Sequence, residues 1–281
     1  MWLDLQVQRR LQAAGQDFVL DVSLQCTQRQ VVLFGPSGAG KSLTLKAVAG
    51  LLRPGQGHVR LQGQTLFDAA TGVDLPPRRR RLGYVFQDYA LFPHLSVRQN
   101  VAFGLEKGWL NPRIGQRFDA VEQWLHAFRI DTVGDLLPSQ VSGGQRQRTA
   151  LARALVTQPQ ALLLDEPFSA LDHDLRQHLR QELEAVLDGA GIPLLLISHD
   201  PNDIEIFGGQ IACIENGRLT SPPGSRQRPT CQPRLLPSLV SSPTSAGLEG
   251  KSNYQSVGDS ESPKPRYICP RAAQMGDDPG A

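Results

Sequence analysis

A glycine-rich octet, Gly35-Pro-Ser-Gly-Ala-Gly-Lys-Ser42, restricts what this chain can become more than any other stretch. It fits the spacing G-x-x-x-x-G-K-[ST]. Val31 to Phe34 before it is an unbroken apolar run, as expected of a strand buried on both faces, and Lys41 to Ala49 after it reads as a helix. Without Cβ atoms, Gly35, Gly38 and Gly40 let the backbone wrap closely, so that its N–H groups converge on a phosphate at a helix N-terminus. Lys41 then places its ammonium near the β- and γ-phosphates of a nucleotide, and the Ser42 hydroxyl ligates Mg2+. An ordinary glycine-rich turn is the alternative, but the four fixed positions arise by chance in roughly one chain in a hundred of this length. The expected phosphate cradle is therefore Gly35, Pro36, Ser37, Gly38, Ala39, Gly40, Lys41, Ser42 and Leu43.

Two later motifs extend this reading. Ala161 to Leu164 is a second buried strand, and it ends in Asp165-Glu166. An acidic pair at the C-terminal end of a strand lies where ligands bind in open parallel sheets. Asp165 is expected to hold Mg2+ through water, and Glu166 to polarise the water that attacks a γ-phosphate. Upstream, Ser142-Gly-Gly-Gln145 opens a helix predicted to run from Gln145 to about Gln158 and to stop before Pro159. That helix should bury Ala150, Leu151, Ala154 and Leu155. Its glycines expose backbone N–H groups, giving a second anion-binding helix end.

With Ser142-Gly-Gly-Gln145 standing just ahead of Asp165-Glu166, the chain resembles the ABC-transporter ATPases. Val141 precedes the motif where that family usually has Leu. The resemblance implies an α/β fold of the P-loop NTPase type: a RecA-like parallel sheet core with an antiparallel β subdomain and an inserted helical subdomain. It also implies ATP and Mg2+ as ligands. Two copies would bind ATP between them, with Ser142, Gly143, Gly144 and Gln145 of one protomer capping the γ-phosphate held by the other. Singly matched positions are Gln87, a sensor of Mg2+ and the attacking water; Asp172, in the interface-crossing Ser169-Ala-Leu-Asp172; and His199, a γ-phosphate contact. Lys41, Gln87, Glu166 and His199 form the catalytic set on this reading, and Ser42, Gln87 and Asp165 the metal set. Phe18 either stacks on adenine or is a core strand residue.

Organisation along the chain agrees. Residues 2–34 should form antiparallel strands leading into the loop strand, and Val59 to Phe67 a further strand or hairpin, with turns at Gly55-Gln-Gly57 and Gly63. The nucleotide-binding domain is expected over 2–220, with a helical subdomain at about 89–145. Asn216-Gly217 should close a late hairpin. The last 61 residues, 221–281, hold ten of the 21 prolines and no sustained apolar period, which predicts a Pro/Ser-rich disordered tail. The arginine run Arg78 to Arg81 is expected in a solvated loop.

Bulk properties exclude several classes. A net charge of +2 gives no hint of a nucleic-acid surface, and no apolar run approaches a membrane span. The four cysteines show no C-x-x-C pairing and fit reduced thiols. Leu75 to Leu105 resembles importer ATPases for oxyanions, molybdate before sulfate, with polyamine and iron(III) systems behind. That resemblance implies integral membrane permease partners, an external substrate-binding protein acting indirectly, and a peripheral position on the cytoplasmic face. A soluble ABC ATPase of DNA repair or translation is the rival. Such proteins usually carry tandem cassettes or long coiled-coil insertions, and neither is present.

Overall fold

The computed structural model describes residues 1–13, 16–105, 111–113, 115–169, 171 and 173–220. Asp172 and the tail at 221–281 lie outside the described residues.

An antiparallel half comes first. Strands β1 (Leu3–Ala13) and β2 (Gln16–Cys26) pair from Leu3↔Cys26 to Ala13↔Gln16. Leu3, Leu5 and Val7 face inward with Leu20, Val22 and Leu24, while polar residues alternate outward. Strands β4 (Gln56–Leu61), β5 (Gln64–Asp68) and β6 (Val73–Asp74) extend this half, β4 pairing with β1. Gln62 and Gly63, both at positive φ, make the β4–β5 turn where the glycine predicted it.

The parallel half consists of β3 (Gln30–Phe34), β7 (Leu82–Val85), β8 (Ala161–Asp165), β9 (Leu194–Ser198) and β10 (Gln210–Glu215). The two-residue β11 (Arg218–Leu219) joins the halves into one sheet of order β6-β5-β4-β1-β2-β11-β10-β3-β9-β8-β7. Every residue of β8 and β9 is buried, which is why these strands read as continuous apolar runs. Alternate side chains feed two cores. Leu163, Leu195 and Ile197 join Leu45 and Val48 of α1 (Lys41–Ala49) on one face. Leu162, Leu164, Leu194 and Leu196 pack on the other. There they meet α2 (Val97–Ala102), α3 (Asp119–Ala127), α4 (Gly143–Leu155), α5 (His173–Ala190) and α6 (Pro201–Phe207).

Two expectations are corrected. Helix α4 starts two residues before Gln145 and ends at Leu155 rather than about Gln158. The start is set by a capping box between Ser142 and Gln145. The helix ends four residues before Pro159, whose ring cannot continue a helix, and Gln158 between them takes a left-handed φ of 50. The arginine run is not wholly solvated either. Arg80 is buried and donates to the carbonyls of Leu75, Ala47 and Val48 and to Asp74, closing the C-terminus of α1.

Register decides where function can sit. Phe34 pairs with Ser198, Asp165 with Ile197, and Val85 with Leu164. The C-terminal ends of β3, β9, β8 and β7 therefore share one edge, from which the loops bearing Lys41, His199, Glu166 and Gln87 emerge.

Candidate nucleotide site

The loop from Gly35 to Gly40 leaves β3 and enters α1 through left-handed backbone, with Gly40 at φ 102 as the N-cap. Gly35 has no substitute, because a Cβ there would meet the Ile214 carbonyl oxygen at 2.1 Å. Lys41 is 5% exposed, and its ammonium donates to the carbonyls of Gly35 at 2.7 Å and Pro36 at 2.8 Å. Burial lowers its pKa, while the charges of Glu166 and Asp165 act the other way. The Phe18 ring lies against Gly40 and Gly217 beside Leu20, so a half-buried aromatic does reach the loop.

Across from the loop, the Ser42 hydroxyl donates to Asp165 Oδ1 at 2.8 Å and the Tyr84 hydroxyl to Oδ2 at 3.3 Å. Burial raises the Asp165 pKa despite both hydrogen bonds. Tyr84 carries the same signature, its hydroxyl pushed up by burial and then by the neighbouring carboxylate. Sequence reasoning missed Tyr84 as a site residue. Only the β7–β8 pairing, Tyr84 opposite Leu163, brings it under Asp165.

Glu166 sits at φ 47, uncommon for a residue with a Cβ, with its N–H on the Ile197 carbonyl at 3.2 Å. Its carbonyl accepts from the Ser169 hydroxyl at 2.9 Å. The carboxylate stands 3.4 Å from His199 Nδ1, and the imidazole is largely open to solvent. These two side chains head a cleft lined by Phe168, Ser169, Arg176, Arg180, Ser198, Asp200 and Asp203. Gln87 follows β7 at the same edge, exposed.

Ser142 caps α4, accepting from the Gln145 N–H at 3.3 Å, while Gln145 Oε1 accepts from the Ser142 N–H at 2.9 Å. A Cβ on Gly143 would only touch the Arg146 guanidinium at 3.9 Å, whereas one on Gly144 would press to 2.6 Å from Leu175. No hydrogen bond among the described residues joins this helix end to the 35–43 loop. The structure thus assembles Lys41, Ser42, Asp165, Glu166 and His199 at one edge, and leaves Ser142 and Gly143 facing outward.

A phosphate-type loop at a strand end, an acidic pair on the adjacent strand and an antiparallel flank define a P-loop nucleotide-binding cassette. The ABC transporter sequence profile matches residues 19–169, just over half of the chain, and the chain belongs to that family. It is 44% identical over 200 residues to the sulfate/thiosulfate import ATP-binding protein CysA of Synechocystis sp., an overlap covering 71% of this chain and 54% of that protein. It is 41% identical over 219 residues to the molybdate/tungstate import ATP-binding protein WtpC of Archaeoglobus fulgidus, covering 78% and 85%. The chain spans about half the length of the sulfate/thiosulfate relatives it matches. A solved ATP-binding cassette, a dimer in a post-hydrolysis state with ADP and Pi, superposes with a TM-score of 0.66 at 27% identity, covering 79% of this chain and 97% of that one.

Proposed function

We propose that this chain is the ATP-hydrolysing subunit of an oxyanion importer, working as a head-to-tail homodimer beneath integral membrane permease subunits. The single observation that carries the reading is the edge itself. Glu166 lies 3.4 Å from His199, and on the same strand Asp165 is held by Ser42 across from Lys41. Catalysis of phosphoryl transfer to water is chiefly positioning and charge neutralisation, which this set can supply.

In this reading residues 35–43 cradle the phosphates, and the Lys41 ammonium exchanges its two loop carbonyls for phosphate oxygens. Ser42 and Asp165 suit Mg2+: a hydroxyl and one carboxylate are hard oxygen donors, few enough that phosphates and water complete the shell. Held by these residues, such an ion would supply charge neutralisation for phosphoryl transfer. Glu166 draws the proton of the attacking water, His199 contacts the γ-phosphate, and Gln87 senses the filled site. The helix end at Ser142, Gly143, Gly144 and Gln145 of the second copy closes over the γ-phosphate, with Ser142 exposed at its tip, and Asp172 crosses the interface. Phe18 is proposed to stack on adenine, supported by its place beside Gly40.

The segment from Tyr89 to Val97 is proposed to receive the permease, which places the protein peripherally on the cytoplasmic face of the membrane. Among the described residues no helix is long and apolar enough to cross one. Substrate-binding protein acts only through the permease, and nucleic acid has no role. Molybdate is the proposed solute and sulfate the second reading, since relatives named for each share over 40% identity.

Glu166→Gln tests the core claim. It should lower ATP turnover by on the order of a hundredfold or more. It should also leave an ATP-loaded dimer on gel filtration. Undiminished hydrolysis in that variant rules out Glu166 as the base. Co-purification with native membrane subunits, followed by uptake of molybdate against sulfate, tests the transport assignment.

A further inference from the structure

We propose that Arg176 and Arg180 of α5 are positioning residues for His199, a two-guanidinium bracket that locks the loop after β9 to the loop after β8. The inference rests on the reading above for what His199 does, but not for how it is held.

The bracket has named contacts on both sides. Arg180, 1% exposed, donates through Nη2 to Asp200 Oδ2 at 2.6 Å and through Nε to Asp203 Oδ1, and it lies 5.6 Å over the Phe168 ring. Arg176 donates through Nη1 to the same Asp200 oxygen at 3.2 Å and through Nη2 to the Leu171 carbonyl at 2.8 Å. Asp200 directly follows His199. Phe168 and Leu171 lie two and five residues after Glu166. One helix therefore grips both loops that bear the reacting pair.

The grip continues to both flanks of the imidazole. The Ser198 hydroxyl accepts from the Asp200 N–H at 2.9 Å and donates to Asp203. Asp200 Oδ1 accepts from the Asn202 N–H at 3.0 Å, capping α6. Residues 198 and 200 are thus pinned through Asp203 and Asp200 to the two arginines. His199 itself makes one close polar contact among the described residues, the 3.4 Å approach to Glu166. An exposed imidazole with so few bonds of its own is placed by its neighbours.

A guanidinium suits this task because its fork meets two carboxylates at fixed angles, which an ammonium cannot copy. Removing it leaves two carboxylates facing each other in a desolvated cleft, so the loop should swing toward water. Because α5 begins right after the segment proposed to cross the dimer interface, a shift there would reach His199 through the same bracket.

A double-mutant cycle in the full chain tests this. Arg180→Lys should lower kcat about tenfold, as expected for a displaced reacting group, with ATP affinity changed less than about twofold. In a His199→Ala background the same change should cost less than about twofold, because the residue being positioned is gone. Arg176→Lys, at a half-buried site that tolerates the change, should show the same non-additivity. Amide hydrogen exchange is read in parallel and needs no turnover: both variants should speed exchange in 166–171 and 198–203 while leaving β1 and β2 unchanged. Equal kcat losses in the two backgrounds, or exchange raised throughout the domain, would overturn the bracket. A wild-type chain without ATP turnover, or a fully active His199→Ala, would instead overturn the function proposed above, and the exchange result would still judge the bracket.

Discussion

Asp165 is buried at the end of β8 with two hydroxyls on its oxygens, yet burial still raises its pKa. The sign matters for stability. An acid raised above its unfolded value contributes stability below that unfolded value, and the contribution is lost as pH rises through the folded pKa. At neutral pH the ionised carboxylate therefore works against the fold in the absence of a cation. Asp165→Asn should hold or raise the melting temperature of the nucleotide-free protein, by about 2–4 °C per kcal/mol for a domain of this size. The same change should abolish Mg2+-dependent nucleotide binding. Calorimetry with and without Mg2+ reads both, and a clear drop in melting temperature would contradict the account. Asp200 behaves oppositely. Burial pushes its carboxyl up, but hydrogen bonds from Arg180, the Asn202 amide and Arg176 prevail and hold it down at about 2. Its contribution is full above the ordinary 3.8 and lost as pH falls through about 2. The stability gap between wild type and Asp200→Asn, from denaturant titrations, should stay level above pH 4 and narrow toward pH 3. At this scale the sequence pointed to Lys41, Asp165 and Glu166 through motif spacing, and to His199 through the family resemblance. It could not show Tyr84, whose hydroxyl meets Asp165 only by cross-strand pairing.

Elements explain why the loop at 35–43 is held so firmly. Helix α1 ends at Ala49, and the carbonyls of Ala47 and Val48 are taken by the Arg80 guanidinium from 33 and 32 residues away. Gly50 makes room for it, since a Cβ there would lie 2.5 Å from Arg80 Nε. Truncating Arg80 takes the donor from the Val48 carbonyl, while Ala47 keeps the Gly50 N–H, and removes a buried, paired charge. Arg80→Ala should destabilise the fold by about 2–4 kcal/mol, measured by urea unfolding, and weaken nucleotide binding because α1 carries Lys41 and Ser42. In the sequence Arg80 is one of four consecutive arginines, and nothing local marks it from its solvated neighbours. The late hairpin was legible for the opposite reason. Asn216 and Gly217 take φ values of 48 and 78, the pair a tight primed turn requires, and their types announce it.

The whole molecule presents a phosphate loop at one place and the Ser142 helix end at another, with no hydrogen bond between them among the described residues, an arrangement that fits the proposed site shared by two copies. Mixing Lys41→Ala chains with Gly143→Arg chains should restore activity neither has alone. Random pairing gives heterodimers with one intact composite site, or about a quarter of wild-type turnover. An inactive mixture whose heterodimers are shown to form would contradict the shared site. What the sequence determined alone was local: a loop needing glycines, apolar strands, a capped helix, and acidic residues at a strand end. Such features depend on neighbours a few residues away, and side-chain periodicity records them. What only the tertiary structure decided was which distant groups meet. Strand register set Tyr84 under Asp165 and His199 beside Glu166, while helix packing carried Arg80 to α1 and Arg180 to Asp200. Those pairings satisfy buried charges and carbonyls across tens of residues, and no short-range pattern encodes the partner of a buried arginine.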